Sequence, residues 1–377
     1  MKMGASALPV SSTIMAEHGW DDTFYRRIPI ASSHRFAPML RRRVVSALAL
    51  VVALATGCAQ SASWLRTIAT SSRSYWPSGS VHEDTFFSTS LGVRKHVVVY
   101  LPPSYAGDST RRYPVAYYLH GLSGTETDWI SKGSIDVTAD SLFALGTPEM
   151  IVVMPDGDDG WYTTWANQVA YRTCADTLRN ESPDRYCVEH ERYDEYVARD
   201  VVRHVDQHYR TLADRAHRGI AGLSMGGYGA LIMALHHGDV FGAAASHSGV
   251  LSPMYIGPHP FTEPGRYAST VDEIRPAAGP YWTRFLNYWG TNLDRWRDAD
   301  PAHAAELLVR RGSQRPSLFI DCGRDDGFVD QNRALHAELT RLGVAHSYAE
   351  WPGAHTWRYW STHAAQSLAW MGARIGR

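Results

Sequence analysis

Short apolar runs recur at regular intervals along the chain from about residue 81 onward. Those at 94–101, 113–120, 149–155, 218–223 and 317–322 are rich in Val, Ile, Leu and Tyr, and several are apolar on both faces. A strand with one wet face would alternate. Continuous apolar character predicts strands covered on both sides, as in a parallel sheet. Between these runs the period changes. Tyr193, Val197, Val201, Val205 and Tyr209 form one i, i+4 row with charges opposite; Phe328, Leu335, Leu339 and Leu342 line a second face, with Gly343 just beyond it. Both rows predict amphipathic helices, and Gly343 suits the left-handed residue that closes one. Alternating strands and helices predict a doubly wound α/β sheet, formed by one domain over residues 81–377. Residues 251–301 break the rhythm with Pro, Gly and aromatics in no clean period. They form either a cap over the sheet or an irregular excursion packed at its side.

The first 80 residues follow other rules. Residues 1–38 carry no sustained period. Met39-Leu-Arg-Arg-Arg and the 13-residue apolar run Val44–Thr56 then match a secretory signal, too short to span a bilayer comfortably. Ala55-Thr56-Gly57-Cys58 resembles the lipobox of bacterial lipoproteins, with Ala where Leu is more usual. The expectation is an exported protein, periplasmic or cell-surface if Cys58 is lipidated and becomes the mature N-terminus, otherwise secreted. Because such signals start close to the initiator, Met39 is the expected start and 1–38 a leader or over-extended reading. Residues 59–80, rich in Ser and Thr, read as a tether.

Composition narrows the function classes. Over 377 residues, 44% apolar and 20% charged content is ordinary for a globular protein, and a net charge of -1 supplies no field for nucleic acid or an anionic surface. Of four cysteines, Cys174 and Cys187 bracket a polar stretch that an oxidising compartment could close with a disulfide; unpaired surface thiols are the alternative. Cys322, inside an apolar run, reads as a small buried hydrophobe. His236-His237 and the acidic group Asp156, Asp158 and Asp159 are better explained by a helix end and a turn than by a metal, so no metal or organic cofactor is expected.

Chemistry concentrates at Gly222-Leu223-Ser224-Met225-Gly226. A strand-like run precedes it and the helical run Gly229-Ala-Leu-Ile-Met-Ala-Leu follows, the setting in which a serine is held on a strained turn as a nucleophile. Such a hydroxyl needs a base. Among 18 histidines, His355 stands out, because it follows strand-like Ser347–Trp351 and the turn Pro352-Gly353 and precedes a helical run. His336 and His363 fall on predicted helices and His346 in a strand. The acid that orients the base belongs after the run at 317–322, where Asp325 and Asp326 compete; Asp326 is the choice, with Asp321 expected inside the strand and Asp330 on the helix. Two N–H donors are needed for an oxyanion: Met225, after the nucleophile, and Leu122, in the turn that follows 113–120, with His120 structural.

These segments together resemble the esterase D family, which includes S-formylglutathione hydrolases, feruloyl esterases and antigen 85 mycolyltransferases. The matching stretches are VYLPPSY (99–105), YPVAYYLHGLSGTETDW (113–129), MPDGDDGWYTTW (154–165), the Tyr193 helix, GIAGLSMGGYGA (219–230), CGRDDGF (322–328) and WPGAHTW (351–357). The resemblance covers about residues 84–374. It implies an α/β-hydrolase fold without cofactor, a triad at Ser224, Asp326 and His355, and oxyanion donors at Leu122 and Met225. Residues 172–190 and 251–301 fall outside the matching stretches.

Three functions follow as expectations: a carboxylic ester hydrolase, an acyltransferase that passes the same acyl group to a sugar or lipid alcohol, or a binding protein on the same scaffold. The partner is a small-molecule or glycan-linked ester. Export argues against a cytosolic thiol ester. Trp161, Tyr162, Trp165 and Trp357 either line an aromatic cleft or pack the core around the triad.

Overall fold

In the computed structural model, which describes residues 77–168 and 186–376, the five apolar runs become strands of one eight-stranded sheet. The strands are β1 (Ser80–Ser88), β2 (Val93–Leu101), β3 (Val115–Leu119), β4 (Ile151–Pro155), β5 (Arg218–Leu223) and β6 (Ala243–His247), then β9 (Ser317–Gly323) and β10 (His346–Trp351). Between the last two pairs, β7 (Tyr255–Gly257) and β8 (Arg266–Tyr267) form a small hairpin of their own. The sheet order is β1-β2-β4-β3-β5-β6-β9-β10. β1, β2 and β4 pair antiparallel, and every other neighbour in the sheet is parallel.

Central position explains the continuous apolar character. β3, β4, β5 and β6 are buried along their whole length, which leaves no face for alternating polar residues. Helices cover them. Tyr193, Val197, Val201 and Val205 are all buried, on a helical run from Tyr193 to His208 that widens to a π-turn over Tyr196–Val201. The helix Val329–Arg341 buries Leu335 and Leu339, and Gly343 follows it at φ +63°. All parallel strands deliver their C-terminal ends to one edge of the sheet, so the loops after β3, β5, β9 and β10 gather there.

Residues 251–301 are more regular than their sequence suggests. Besides the β7–β8 hairpin they form helices Val271–Ala278, Trp282–Trp289 and Leu293–Asp298. Each is short, at most 8 residues, and so shows little more than two turns of any period. β6 carries equally little sequence signal, because Ala-Ala-Ala-Ser-His has no β-branched or large residue to mark it. Cys322 is buried with a free thiol. Cys187 is buried and disulfide-bonded, whereas Cys174 lies outside the described residues. Cys58, the signal and most of the tether also lie outside them.

Candidate active site

Ser224 occupies the bend between β5 and the helix Met225–His236, at φ 53° and ψ -119°. A non-glycine residue there costs on the order of 1–3 kcal/mol and survives only where its surroundings hold it. Here the Ser224 N–H donates to the His247 carbonyl at 3.0 Å and the Ser224 carbonyl accepts from Tyr228 N–H at 3.0 Å. The flanking glycines are required by closeness. A Cβ on Gly222 would stand 2.3 Å from the Gly226 carbonyl oxygen, and one on Gly226 would stand 2.4 Å from that of Leu119. The strained serine therefore projects from the sheet edge, at the positive end of a helix dipole.

His355 comes from the loop between β10 and the last helix, Trp357–Ile375. Its Nε2 lies 2.8 Å from Ser224 Oγ, and its Nδ1 lies 2.8 Å from Asp326 Oδ2. Asp326 is buried, and its other oxygen accepts the Phe328 N–H at 2.9 Å; Asp325 is exposed. A carboxylate at Nδ1 keeps that nitrogen protonated and leaves Nε2 free to accept the serine proton. Phe328 and Trp360 meet the imidazole edge-on, with ring centroids 5.0 Å and 4.8 Å away, and fix its plane. Of the rival histidines, His336 and His346 hydrogen-bond each other, and His363 is buried against Trp351.

Leu122 lies beside Ser224, in the turn after β3. A Cβ on Gly121 would come 3.4 Å from Ser224 Cβ. Met225 opens its helix, and the N–H groups of a first helical turn have no acceptor within the helix. His120 supports the turn from below. Its Nε2 accepts the Gly157 N–H at 2.9 Å while Nδ1 lies 2.8 Å from the Gly121 carbonyl, which makes Nδ1 the donor.

A cleft of about 530 Å³ opens over Ser224 and His355, walled by Leu122, Trp161, Ile274, Phe285, Trp289 and Trp357. Residues 251–301 thus supply much of its wall. Of the four aromatic side chains singled out from the sequence, Trp161 and Trp357 line this cleft. Tyr162 and Trp165 do not. Tyr162 is buried with its hydroxyl donating to the His120 carbonyl at 3.0 Å, and Trp165 donates to the Gly160 carbonyl and packs on Tyr193 and Tyr288. Neighbouring residues on a turn face different ways, and Trp161 and Tyr162 both have positive φ, so no strand or helix period governs which one meets the cleft.

The sequence pattern did not reveal the partner of the acidic turn. Lys95 of β2 is wholly buried, with Nζ 2.6 Å from Asp156 and 2.8 Å from Asp158; Tyr193 donates to Asp158 at 2.8 Å. Burial alone would lower the lysine pKa, but the two carboxylates outweigh it and hold it above the ordinary value. A lysine inside the run Val-Val-Val-Tyr's strand was the available signal. Among the described residues no group of three or more His, Cys, Asp or Glu is arranged to hold a metal.

Known proteins resemble the chain over most of its length. The family model described as "Putative esterase" matches residues 88–371. An acetyl esterase of Caldicellulosiruptor saccharolyticus is 26% identical over 255 residues, 68% of this chain and 82% of that protein. A solved ferulic acid esterase superposes with a TM-score of 0.56 at 26% identity, over 78% of this chain and 98% of its own. The fluorophosphonate-binding serine hydrolase F of Staphylococcus aureus shares the fold, with a TM-score of 0.57 at 24% identity over 78% and 99%. The chain belongs to this esterase family, as a carboxylesterase-type enzyme on the α/β-hydrolase fold.

Proposed function

We propose that the protein hydrolyses carboxylic esters through Ser224, His355 and Asp326. The observation that carries this reading is the unbroken hydrogen-bonded line from Ser224 Oγ through the imidazole to the buried Asp326, 2.8 Å at each link. His355 Nε2 takes the hydroxyl proton as Oγ attacks the ester carbonyl, and the imidazolium is stabilised by Asp326. The N–H groups of Leu122 and Met225 receive the oxyanion. The alcohol leaves with the proton from His355, and water deprotonated by the same imidazole releases the acid.

An aromatic cleft of about 530 Å³ suits an ester with a sizeable apolar group, held between Trp161, Phe285 and Trp357. The ferulic acid esterase likeness favours the same class. Transfer of the acyl group to a sugar or lipid alcohol would use the same acyl-enzyme, with the acceptor in the place of water. We infer in addition an exported enzyme tethered through Cys58, on the strength of the basic cluster, apolar run and lipobox-like tetrapeptide.

Turnover of p-nitrophenyl acetate by the full chain, with Ser224→Ala beside it, tests the hydrolase reading. Equal rates would reject it. Added glycerol or glucose, with new ester products sought by mass spectrometry, separates transfer from hydrolysis. Labelling with a palmitate analogue, absent in Cys58→Ala, tests the tether.

A further inference from the structure

Asp159 stands outside the Ser224–His355–Asp326 line, yet it grips the turn that carries Leu122. Its Oδ1 accepts the Ser123 N–H at 2.6 Å, and its Oδ2 faces Arg284 Nη1 at 3.3 Å. Ser123 needs such a hold. It sits at φ 59°, third in a turn whose Gly124 N–H closes onto the Gly121 carbonyl at 3.0 Å. That place in a type II turn ordinarily belongs to Gly or Asn, because a side chain there crowds the next carbonyl. A hydrogen bond from backbone N–H to a carboxylate is among the stronger ones and offsets the strain.

The other half of the contact leads to the cleft wall. Arg284 lies on the helix Trp282–Trp289, whose Phe285 and Trp289 face the space above Ser224. One carboxylate therefore touches both the turn beside the nucleophile and the helix on which a bound acyl group would rest.

Resting on the esterase reading above, we infer that Asp159 is a positioning residue for the oxyanion site, and that Arg284 couples the seating of the cleft wall to it. Asp159 holds Ser123 in its left-handed conformation, and the adjoining Leu122 N–H is thereby kept aimed at the developing oxyanion. Loss of the carboxylate lets the turn relax. The cost falls on the tetrahedral state, which carries the oxyanion, more than on the bound ester, so kcat drops while KM holds.

The test uses the full chain and four variants: Asp159→Ala, Asp159→Asn, Arg284→Gln, and Asp159→Ala combined with Ser123→Gly. With p-nitrophenyl acetate, Asp159→Ala should lower kcat about 10- to 100-fold, less than outright loss of an oxyanion donor, with KM changed less than about twofold. Inhibition by phenylboronic acid, which forms a tetrahedral adduct on the serine, should weaken by a similar factor. Glycine adopts positive φ freely, so Ser123→Gly should restore much of the lost kcat in the Asp159→Ala background. Arg284→Gln should show a smaller loss of the same kind. If Asp159→Ala does not fold, Asp159→Asn, which keeps one neutral acceptor, carries the comparison with a smaller loss. Wild-type kcat and boronate inhibition in the Asp159 variants would overturn the inference, as would a loss that Ser123→Gly leaves unrepaired. Failure of the parent reading looks different: turnover would persist in Ser224→Ala.

Discussion

His355 Nε2 and Ser224 Oγ meet at 2.8 Å although 131 residues separate them in sequence. Neither side chain can perform general base and nucleophile chemistry alone, and the contact exists only because β5 and β10 end at the same edge of the sheet. In the proposed mechanism, removing the hydroxyl removes the acyl-enzyme. Ser224→Ala should lower kcat/KM for p-nitrophenyl acetate by about 10³-fold or more, with unchanged thermal melting.

Asp326 sets which imidazole nitrogen carries the proton. In Asp326→Asn the amide can donate to Nδ1 and so favour the tautomer with Nε2 protonated, which cannot accept from Ser224. A fall in kcat of about 10³- to 10⁴-fold is expected. A loss below tenfold would mean that another group orients His355. Asp325→Asn, at an exposed position 2.9 Å from Gly353 only through its backbone N–H, should stay near wild type.

Gly226 has no room for a methyl group. Its Cβ would fall 2.4 Å and 2.5 Å from the Leu119 and His120 carbonyl oxygens, both backbone atoms that cannot swing aside. Gly226→Ala should destabilise the protein by about 3 kcal/mol, read as a shift in the urea midpoint. A variant as stable as wild type would show that β3 and the helix Met225–His236 are less closely packed.

His363 is buried on the last helix, stacked on Trp351 at 4.3 Å between ring centroids. Burial, with His247 nearby and against the pull of Asp321, lowers its pKa to about 4. Above the ordinary histidine value near 6.5 the residue is neutral in both folded and unfolded chains, and stability is unaffected. Between about 6.5 and 4 the unfolded chain binds a proton that the folded chain refuses, so stability falls as pH falls. Unfolding free energies from urea titrations between pH 7 and pH 4 should therefore drop more steeply for wild type than for His363→Gln, by about 2 kcal/mol in total. Parallel slopes would refute the assignment.

Phe285 is a wall of the cleft and contacts Trp161 at 5.1 Å between ring centroids. Truncation to Ala should cost kcat/KM for an aromatic acyl ester such as p-nitrophenyl benzoate about tenfold more than for the acetate, since one buried aromatic contact is worth on the order of 1–2 kcal/mol. An equal loss on both substrates would place the acyl group elsewhere in the cleft.

Much of this protein is legible in its sequence. The strand runs, the amphipathic helices at Tyr193 and Phe328, and the glycines around Ser224 each obey rules that act within about ten residues: side-chain period, turn strain and close backbone approach. Position in the chain also pointed to His355 and Asp326, because strand–loop–helix order marks which loops reach the active edge. β6 escaped because alanines carry little strand signal, and the helices of 251–301 because each is too short to show a period.

What a side chain meets across the fold was a different matter. Trp161 faces the cleft while its neighbour Tyr162 turns beneath it, Lys95 finds Asp156 and Asp158 some 60 positions away, and Asp159 joins Ser123 to Arg284. The chain by itself determined its elements, the glycine-flanked turn at Ser224 and the loops that flank it, since local sterics and period suffice for those. Only the tertiary structure decided which residues share the space above Ser224, because strand order and loop packing, not neighbouring sequence, bring them there.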